Sequence, residues 1–115
     1  MIGLGPGARI FVYSRPTDMR RSFDSLSGMV AEHCPGWDAM SGAVFIFVNR
    51  TGDRMKALWW DRDGYALWYK RLEQGTFRLG QASELTYAEL CAVLEGVEVK
   101  VVRRQKRYAQ SSLTS

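Results

Sequence analysis

Two consecutive arginines, Arg20 and Arg21, are the residues best placed to hold an anion, because they follow a helix-start signal formed by Pro16 and Thr17. Their position predicts the first turn of a helix, where the helix dipole disfavours cations and backbone amides bind phosphate. Thr17, Arg20 and Arg21 are therefore predicted nucleic-acid contacts. The alternative is that Arg20 pairs with Asp24 and that Arg21 is only solvated.

Two lysines, Lys56 and Lys70, form a second predicted phosphate site. They lie in strand-like segments on either side of residues 62–64, which fit a three-residue hairpin loop with its glycine in the left-handed region. This loop sets Asp61 opposite Tyr65 and Lys56 directly opposite Lys70. Like charges that face each other across two strands either splay into water or share an anion. A bulge would shift this register by one residue.

Aromatic side chains share the same predicted hairpin. In that register Trp60 and Trp68 lie on the face that carries the two lysines, which makes them candidates for an aromatic surface. Aromatic rings beside basic groups on a sheet often hold single-stranded nucleic acid. The alternative is that these tryptophans and Trp59 are core residues, because two flanking helices must each bury an apolar stripe.

A basic run follows at the end of the chain, where residues 100–107 contain five basic side chains and no acid. Arg103 and Arg104 are its predicted DNA contacts, as part of a DNA-binding arm. A solvated tail is the alternative.

Catalytic chemistry has little support in the sequence. The one histidine, His33, has no serine or carboxylate placed by sequence to form a triad. A two-metal nuclease would require Asp53, Asp61 and Asp63 to converge, but all three lie in or beside predicted turns, where aspartate is common. We therefore predict no catalytic residue, no metal site and no cofactor.

Composition indicates one small globular domain with a basic surface. The 115 residues carry a net charge of +4, and 12 of the 16 basic residues are arginine, which binds phosphate in a bidentate manner. This balance favours an acidic partner such as nucleic acid. The sequence shows neither a signal peptide nor a membrane span, and its two cysteines lack metal-ligand spacing, so a soluble, cytoplasmic protein without membrane contact is expected.

The hydrophobic pattern predicts an α+β fold with an antiparallel sheet of four to six strands and two helices. Strands are predicted at 9–13, 43–49, 55–61, 65–71, 76–79 and 97–101, and helices at 18–33 and 87–95. A capping box at Thr86 and Glu89 marks the start of the second helix, and Gly96 marks its end. The chain is expected to be a single compact domain over residues 1–115, with an ordered core over about 9–102 and a basic tail at 103–115.

Three segments resemble the insertion sequence 66 accessory proteins. The first is residues 16–20 (PTDMR), and the others are residues 59–64 (WWDRDG) and 68–71 (WYKR). With weaker matches around them, the resemblance covers most of residues 9–96. The family's members are products of the second open reading frame of such elements. They are often called TnpB, a name shared with an unrelated RNA-guided nuclease that this chain does not resemble.

The resemblance implies a bacterial transposition helper that acts beside a separate transposase. Combined with the basic surface, it leads us to predict a non-enzymatic accessory protein that binds DNA, either transposon ends or target, and thereby assists DNA recombination. Its other expected partners are the transposase and further proteins of the same element. The alternative is an adaptor that binds the transposase without touching DNA, and homo-oligomerisation stays open.

Overall fold

A five-stranded sheet with strand order β4-β3-β2-β1-β5 forms the centre of the protein. The computed structural model describes residues 7–33, 36 and 38–95. The strands are β1 (Ile10–Val12), β2 (Val44–Val48), β3 (Arg54–Asp61), β4 (Gly64–Arg71) and β5 (Glu84–Leu85), and the helices are α1 (Phe23–His33) and α2 (Tyr87–Leu94). The predicted α+β class is confirmed, with α1 between the first two strands and α2 after the last.

The sheet is mixed, and the prediction of a purely antiparallel sheet is wrong at one pair. β1 and β2 run parallel, with Ile10 opposite Val44, whereas the other three pairs are antiparallel. A parallel pair needs a long crossover connection, usually with a helix. Residues 13–43 supply it, because they contain α1.

The β3–β4 hairpin has a two-residue loop, so the predicted three-residue loop is wrong. Asp61 pairs with Gly64, and the Asp63 amide donates to the Asp61 carbonyl within the turn. The left-handed residue is Arg62, with φ of 60°, whereas Gly64 belongs to the strand. This difference shifts the register by one residue along β4. Each residue of β3 consequently lies opposite the β4 residue that precedes its predicted partner, so that Lys56 faces Tyr69 and not Lys70.

The apolar core lies on both faces of the sheet. On one face α2 contributes Leu90 and Val93, which pack with Met55, Ala57 and other sheet residues. On the other face α1 contributes Leu26 and Val30, which join a separate cluster that includes the buried rings of Phe45 and Phe47. Alternate residues of β3 therefore face different helices, as the two-residue period of a strand requires.

Segment 76–79 is irregular, so the strand predicted there is wrong. Phe77 and Leu79 are buried, and the Phe77 amide donates to the Gly52 carbonyl at 2.8 Å. The segment is thus a loop, and it inserts the side chains of Phe77 and Leu79 into the core. The predicted strand at 97–101 and the Gly96 cap lie outside the described residues.

The capping box predicted at the start of α2 is confirmed. The Thr86 hydroxyl accepts from the Glu89 amide at 3.1 Å, and the Glu89 carboxylate accepts from the Thr86 amide at 2.8 Å. Within the described part of the chain, neither helix has the length and apolarity to cross a bilayer.

We predict that Thr86→Ala lowers the free energy of unfolding by about 1 kcal/mol, because a helix amide loses its side-chain acceptor. Chemical denaturation monitored by circular dichroism measures the loss. Thr86→Ser is the control, since it keeps the hydroxyl and should stay close to the parent protein. Equal losses in both variants would contradict the cap assignment.

Candidate nucleic-acid interface

Arginine side chains line an open cleft of about 790 Å³ on the α1 face of the sheet. Its wall is formed by the loop before α1, the C-terminal half of α1, the β2–β3 turn and the adjoining ends of β3 and β4. Five arginines line it: Arg15, Arg20, Arg21, Arg50 and Arg54. Among the described residues, two carboxylates lie in the same lining, Asp18 and Glu32. The cleft therefore has a marked excess of positive charge.

The loop before α1, residues 13–22, is held against β2 by backbone hydrogen bonds. The Tyr13 amide donates to the Ile46 carbonyl and the Thr17 amide donates to the Val48 carbonyl, both at 2.9 Å. Thr17 is only 4% exposed, because this pairing draws it into the protein. Its hydroxyl faces the Arg15 carbonyl at 3.5 Å. Thr17 thus supports the loop from within.

Lys56 fixes the other end of this loop. Its side chain is 7% exposed, and its Nζ donates to the carbonyls of Met19 at 2.7 Å and Arg21 at 2.6 Å. The same ammonium lies 4.9 Å from the ring centroid of Tyr69, a cation–π distance. A buried ammonium requires such partners, because desolvation without them is costly. Lys56 therefore holds the backbone that carries both arginines.

Helix α1 begins at Phe23, so Arg20 and Arg21 precede the helix and do not occupy its first turn as predicted. The Asp18 carboxylate explains this later start, because it accepts from the Arg20 amide at 2.9 Å and keeps the chain in a turn. It also pairs with the Arg20 guanidinium at 2.7 Å, so the Asp24 pair of the alternative interpretation does not form. Arg21 donates to the Ser25 hydroxyl at 2.6 Å.

The Arg20 pair changes the acidity of Asp18. Hydrogen bonds from the Arg20 side chain and backbone lower the Asp18 pKa from 3.8 to about 2. Both groups are solvent-exposed, so this interaction orients the guanidinium more than it stabilises the fold.

The β2–β3 turn is ordered by its own polar side chains. The Asp53 carboxylate accepts from the side-chain amide of Asn49 and from the Thr51 hydroxyl, both at 2.8 Å, and these bonds lower the Asp53 pKa. Gly52 takes φ of 76°, a conformation that L side chains rarely adopt. The turn therefore presents Arg50 from a defined backbone.

Two cleft arginines have uncommitted head groups within residues 7–33, 36 and 38–95. The Arg15 and Arg50 guanidinium groups make no hydrogen bond or ion pair with the residues described there, and both side chains are exposed. Arg20, Arg21 and Arg54 are each held by a neighbouring side chain. Within the described part of the chain, the cleft thus combines guanidinium groups that a neighbouring side chain orients with two that have no such partner.

A like-charge pair does exist across the hairpin, but it is formed by Arg54 and Arg71. The Leu72 amide donates to the Asp53 carbonyl, so the next pair, Arg54 and Arg71, occupies a non-hydrogen-bonded position, where side chains approach closely. Arg54 donates to the Tyr69 hydroxyl at 3.2 Å, and Arg71 donates to the Glu73 carboxylate at 3.0 Å. The two arginines are therefore turned toward different acceptors.

The structure separates the other residues predicted to bind nucleic acid. Lys56 is opposite Tyr69, and Lys70 lies on the α2 face, where its Nζ is 3.5 Å from the Leu94 carbonyl. The predicted Lys56–Lys70 phosphate site is wrong, because the shorter loop puts the lysines on opposite faces. Arg103 and Arg104 lie outside the described residues. Of the residues predicted to bind nucleic acid, Arg20 and Arg21 line the cleft with exposed side chains.

Trp60 and Trp68 do not form the predicted aromatic surface, because they lie on different faces of the sheet. Trp60 is half-buried on the α1 face, with its ring edge against Tyr65, whereas Trp68 packs into the core on the α2 face. Trp59 is buried, as the core alternative predicted. The tyrosine rings that line the cleft are instead Tyr13 and Tyr69, and Tyr69 is the more exposed of the two.

Sequence reasoning missed Arg15, Arg50, Arg54, Arg71 and Tyr69. The two-residue hairpin register would have placed Arg71 opposite Arg54 and Tyr69 beside Lys56. No local pattern marks Arg15 and Arg50, because they meet only through the parallel pairing of β1 with β2.

The carboxylates of the nuclease alternative do not converge. Asp53 and Asp61 lie at opposite ends of β3, about 25 Å apart at the usual rise of a strand. Among the described residues no three histidine, cysteine, aspartate or glutamate side chains form a metal-binding group.

The fold and the cleft define a small α+β protein with an arginine-rich concave surface. The chain belongs to the IS66 Orf2-like family, because the model of the family described as "IS66 Orf2 like protein" matches residues 8–104. This membership confirms the resemblance seen in the sequence and identifies a transposition-associated accessory protein.

Two curated relatives come from Sinorhizobium fredii (strain NBRC 101917 / NGR234). "Uncharacterized protein y4hO" is 32% identical over 102 residues, which cover 85% of this chain and 88% of that protein. "Uncharacterized protein y4jC" is 36% identical over 77 residues, which cover 67% of this chain and 65% of that protein. No solved structure matches the chain significantly.

We predict that Lys56→Met lowers the free energy of unfolding by about 3 kcal/mol, because two carbonyls lose a charged donor. Urea denaturation measures the change. Lys70→Met is the matched control, since it removes one long contact and should cost less than about 1 kcal/mol. Equal losses would show that Lys56 is not the anchor of the loop.

We predict that Arg20→Ala returns the Asp18 pKa from about 2 toward 3.8. A lowered carboxyl pKa means that the ion pair supports folding above pH 3.8 and is lost as the pH falls toward 2. Carbon-13 NMR titration of the Asp18 carboxyl measures it. Arg62→Ala, at the distant hairpin, should leave the Asp18 titration unchanged, and an unchanged titration in Arg20→Ala would rule out the pair in solution.

Proposed function

We propose that this protein is a non-enzymatic accessory factor of transposition that binds DNA through the arginine-lined cleft. The observation that carries the proposal is the gathering of five arginines from three separate segments around one concave surface. The DNA backbone is a dense row of phosphates, and guanidinium groups bind phosphate strongly. Arg15 and Arg50 supply the uncommitted head groups for this contact.

Two features suit the cleft to a backbone ligand. The arginines extend from the loop at Arg15 across the sheet to Arg54, so they can contact several phosphates together. Asp18, Ser25 and Tyr69 orient three of the guanidinium groups, which reduces the side-chain entropy lost on binding. Such contacts position a protein on DNA and carry no sequence information of their own.

The adaptor alternative would use an exposed tryptophan patch without flanking basic groups. Trp60 and Trp68 lie on opposite faces of the hairpin and are both half-buried, so they do not form such a patch. The exposed ring of Tyr69 lies within the arginine cleft itself. The distribution of side chains therefore favours DNA over a protein partner for this surface.

The test is fluorescence anisotropy of labelled duplex DNA titrated with the full chain over a series of salt concentrations. We expect the Arg15→Ala/Arg50→Ala double variant to bind DNA more weakly. The slope of the logarithm of the binding constant against the logarithm of the salt concentration should become shallower by about 2, because each phosphate contact contributes about one unit to that slope. Arg62→Ala is the control, since it removes the same kind of charge at the hairpin, far from the cleft.

Two results would overturn the proposal. If Arg62→Ala, which removes one charge, changes the salt dependence by half as much as the double variant, which removes two, binding is a property of net charge and not of the cleft. If the parent protein does not bind DNA near physiological salt, the isolated chain is not a DNA-binding factor. The adaptor alternative would then be tested by co-purification with the transposase of the same element.

A further inference from the structure

We propose that the cleft takes single-stranded DNA, with one unpaired base stacked on the exposed face of Tyr69. This inference rests on the proposed function, because it names the form of DNA that the cleft binds. It depends on an observation that the phosphate contacts do not explain. An aromatic ring is held, half exposed, in the wall of an arginine-lined cleft.

Tyr69 is 47% exposed although it belongs to an eight-residue strand next to the core. The Lys56 ammonium lies over its ring at 4.9 Å and is itself buried, so it covers the inner face. The exposed part of the side chain is consequently the outer face and the ring edge. A free aromatic face of this kind is what a nucleobase needs for stacking.

The ring is also fixed in position before any ligand arrives. Arg54 donates to the Tyr69 hydroxyl at 3.2 Å, and Lys56 supports the ring from below. A stacking platform that is already oriented loses little conformational entropy on binding. Arg54 also lines the cleft, so the group that holds the ring hydroxyl can attract the nucleotide phosphate as well.

Further arginines share the surface that carries the Tyr69 ring. Arg54 and Arg71 face each other on the β3–β4 pair that also carries Tyr69, and Arg20 and Arg21 line the cleft from the loop before α1. Aromatic rings interleaved with basic side chains are typical of proteins that track a single strand. In a duplex the base faces are covered by neighbouring bases, so Tyr69 would have nothing to stack on. Unpaired DNA is therefore the form that can both stack a base on Tyr69 and place its phosphates against the arginines.

The experiment compares three labelled ligands of equal length with the full chain: oligothymidine, an abasic oligomer with the same phosphates, and a duplex. Tyr69→Leu should weaken oligothymidine binding about tenfold, because one base loses its stacking partner. Tyr69→Phe is the matched control, since it keeps the ring without the hydroxyl and should bind within about twofold of the parent protein. The abasic oligomer and the duplex should respond little to either change.

Circular dichroism of each variant verifies that the fold is retained, which the exposed position of Tyr69 favours. The inference is overturned if Tyr69→Leu binds oligothymidine as the parent protein does. It is also overturned if the abasic oligomer binds as tightly as oligothymidine. In both cases, weaker and less salt-dependent DNA binding by Arg15→Ala/Arg50→Ala would leave the proposed function standing. Failure of all three ligands to bind would remove the proposed function as well.

Discussion

One buried ammonium group, that of Lys56, holds the loop that carries Arg20 and Arg21. Lys56 lies on the sheet, yet its hydrogen bonds reach two carbonyls of the loop before α1 and its charge rests against Tyr69. A lysine suits this position because its ammonium is compact and can donate in three directions, unlike a planar guanidinium. Without that group the loop would keep its backbone hydrogen bond at Thr17, but the carbonyls of Met19 and Arg21 would lose their bonds to the sheet. The loop and the hairpin form one surface because Lys56 joins them.

That surface concentrates like charges, which is unfavourable in the absence of an anion. The protein reduces the cost by giving several guanidinium groups local acceptors: Asp18 for Arg20, Ser25 for Arg21 and Glu73 for Arg71. These exposed contacts are weak, so an incoming phosphate can replace them at small cost. The arrangement therefore orients the guanidinium groups and leaves them available to a stronger acceptor.

The boundaries of most strands and of α2 could be predicted from the sequence more accurately than the register and pairing of these elements. Alternation and capping located β2, β3, β4 and α2 within a residue or two, because these signals are local. The hairpin register depended on whether Arg62 or Gly64 takes the left-handed conformation, and composition favours glycine. The start of α1 depended on the Asp18 side chain, which competes with the helix for the Arg20 amide. The predicted Arg20 and Arg21 line the cleft, whereas Arg15 and Arg50 needed the parallel β1–β2 pairing, a contact between distant residues.

The crossover between β1 and β2 ties the cleft to the order of folding. The β3–β4 hairpin is local and closes a short loop, whereas the parallel pair must close over residues 13–43, and such non-local contacts form slowly. A chain with only the hairpin formed has Tyr69 and Arg54 in place but lacks the wall that carries Arg15 and Arg20. A ligand that spans both parts recognises only the completed fold, and binding to that state alone raises its thermal stability by mass action. The cleft is therefore complete only when the parallel β1–β2 pair has formed.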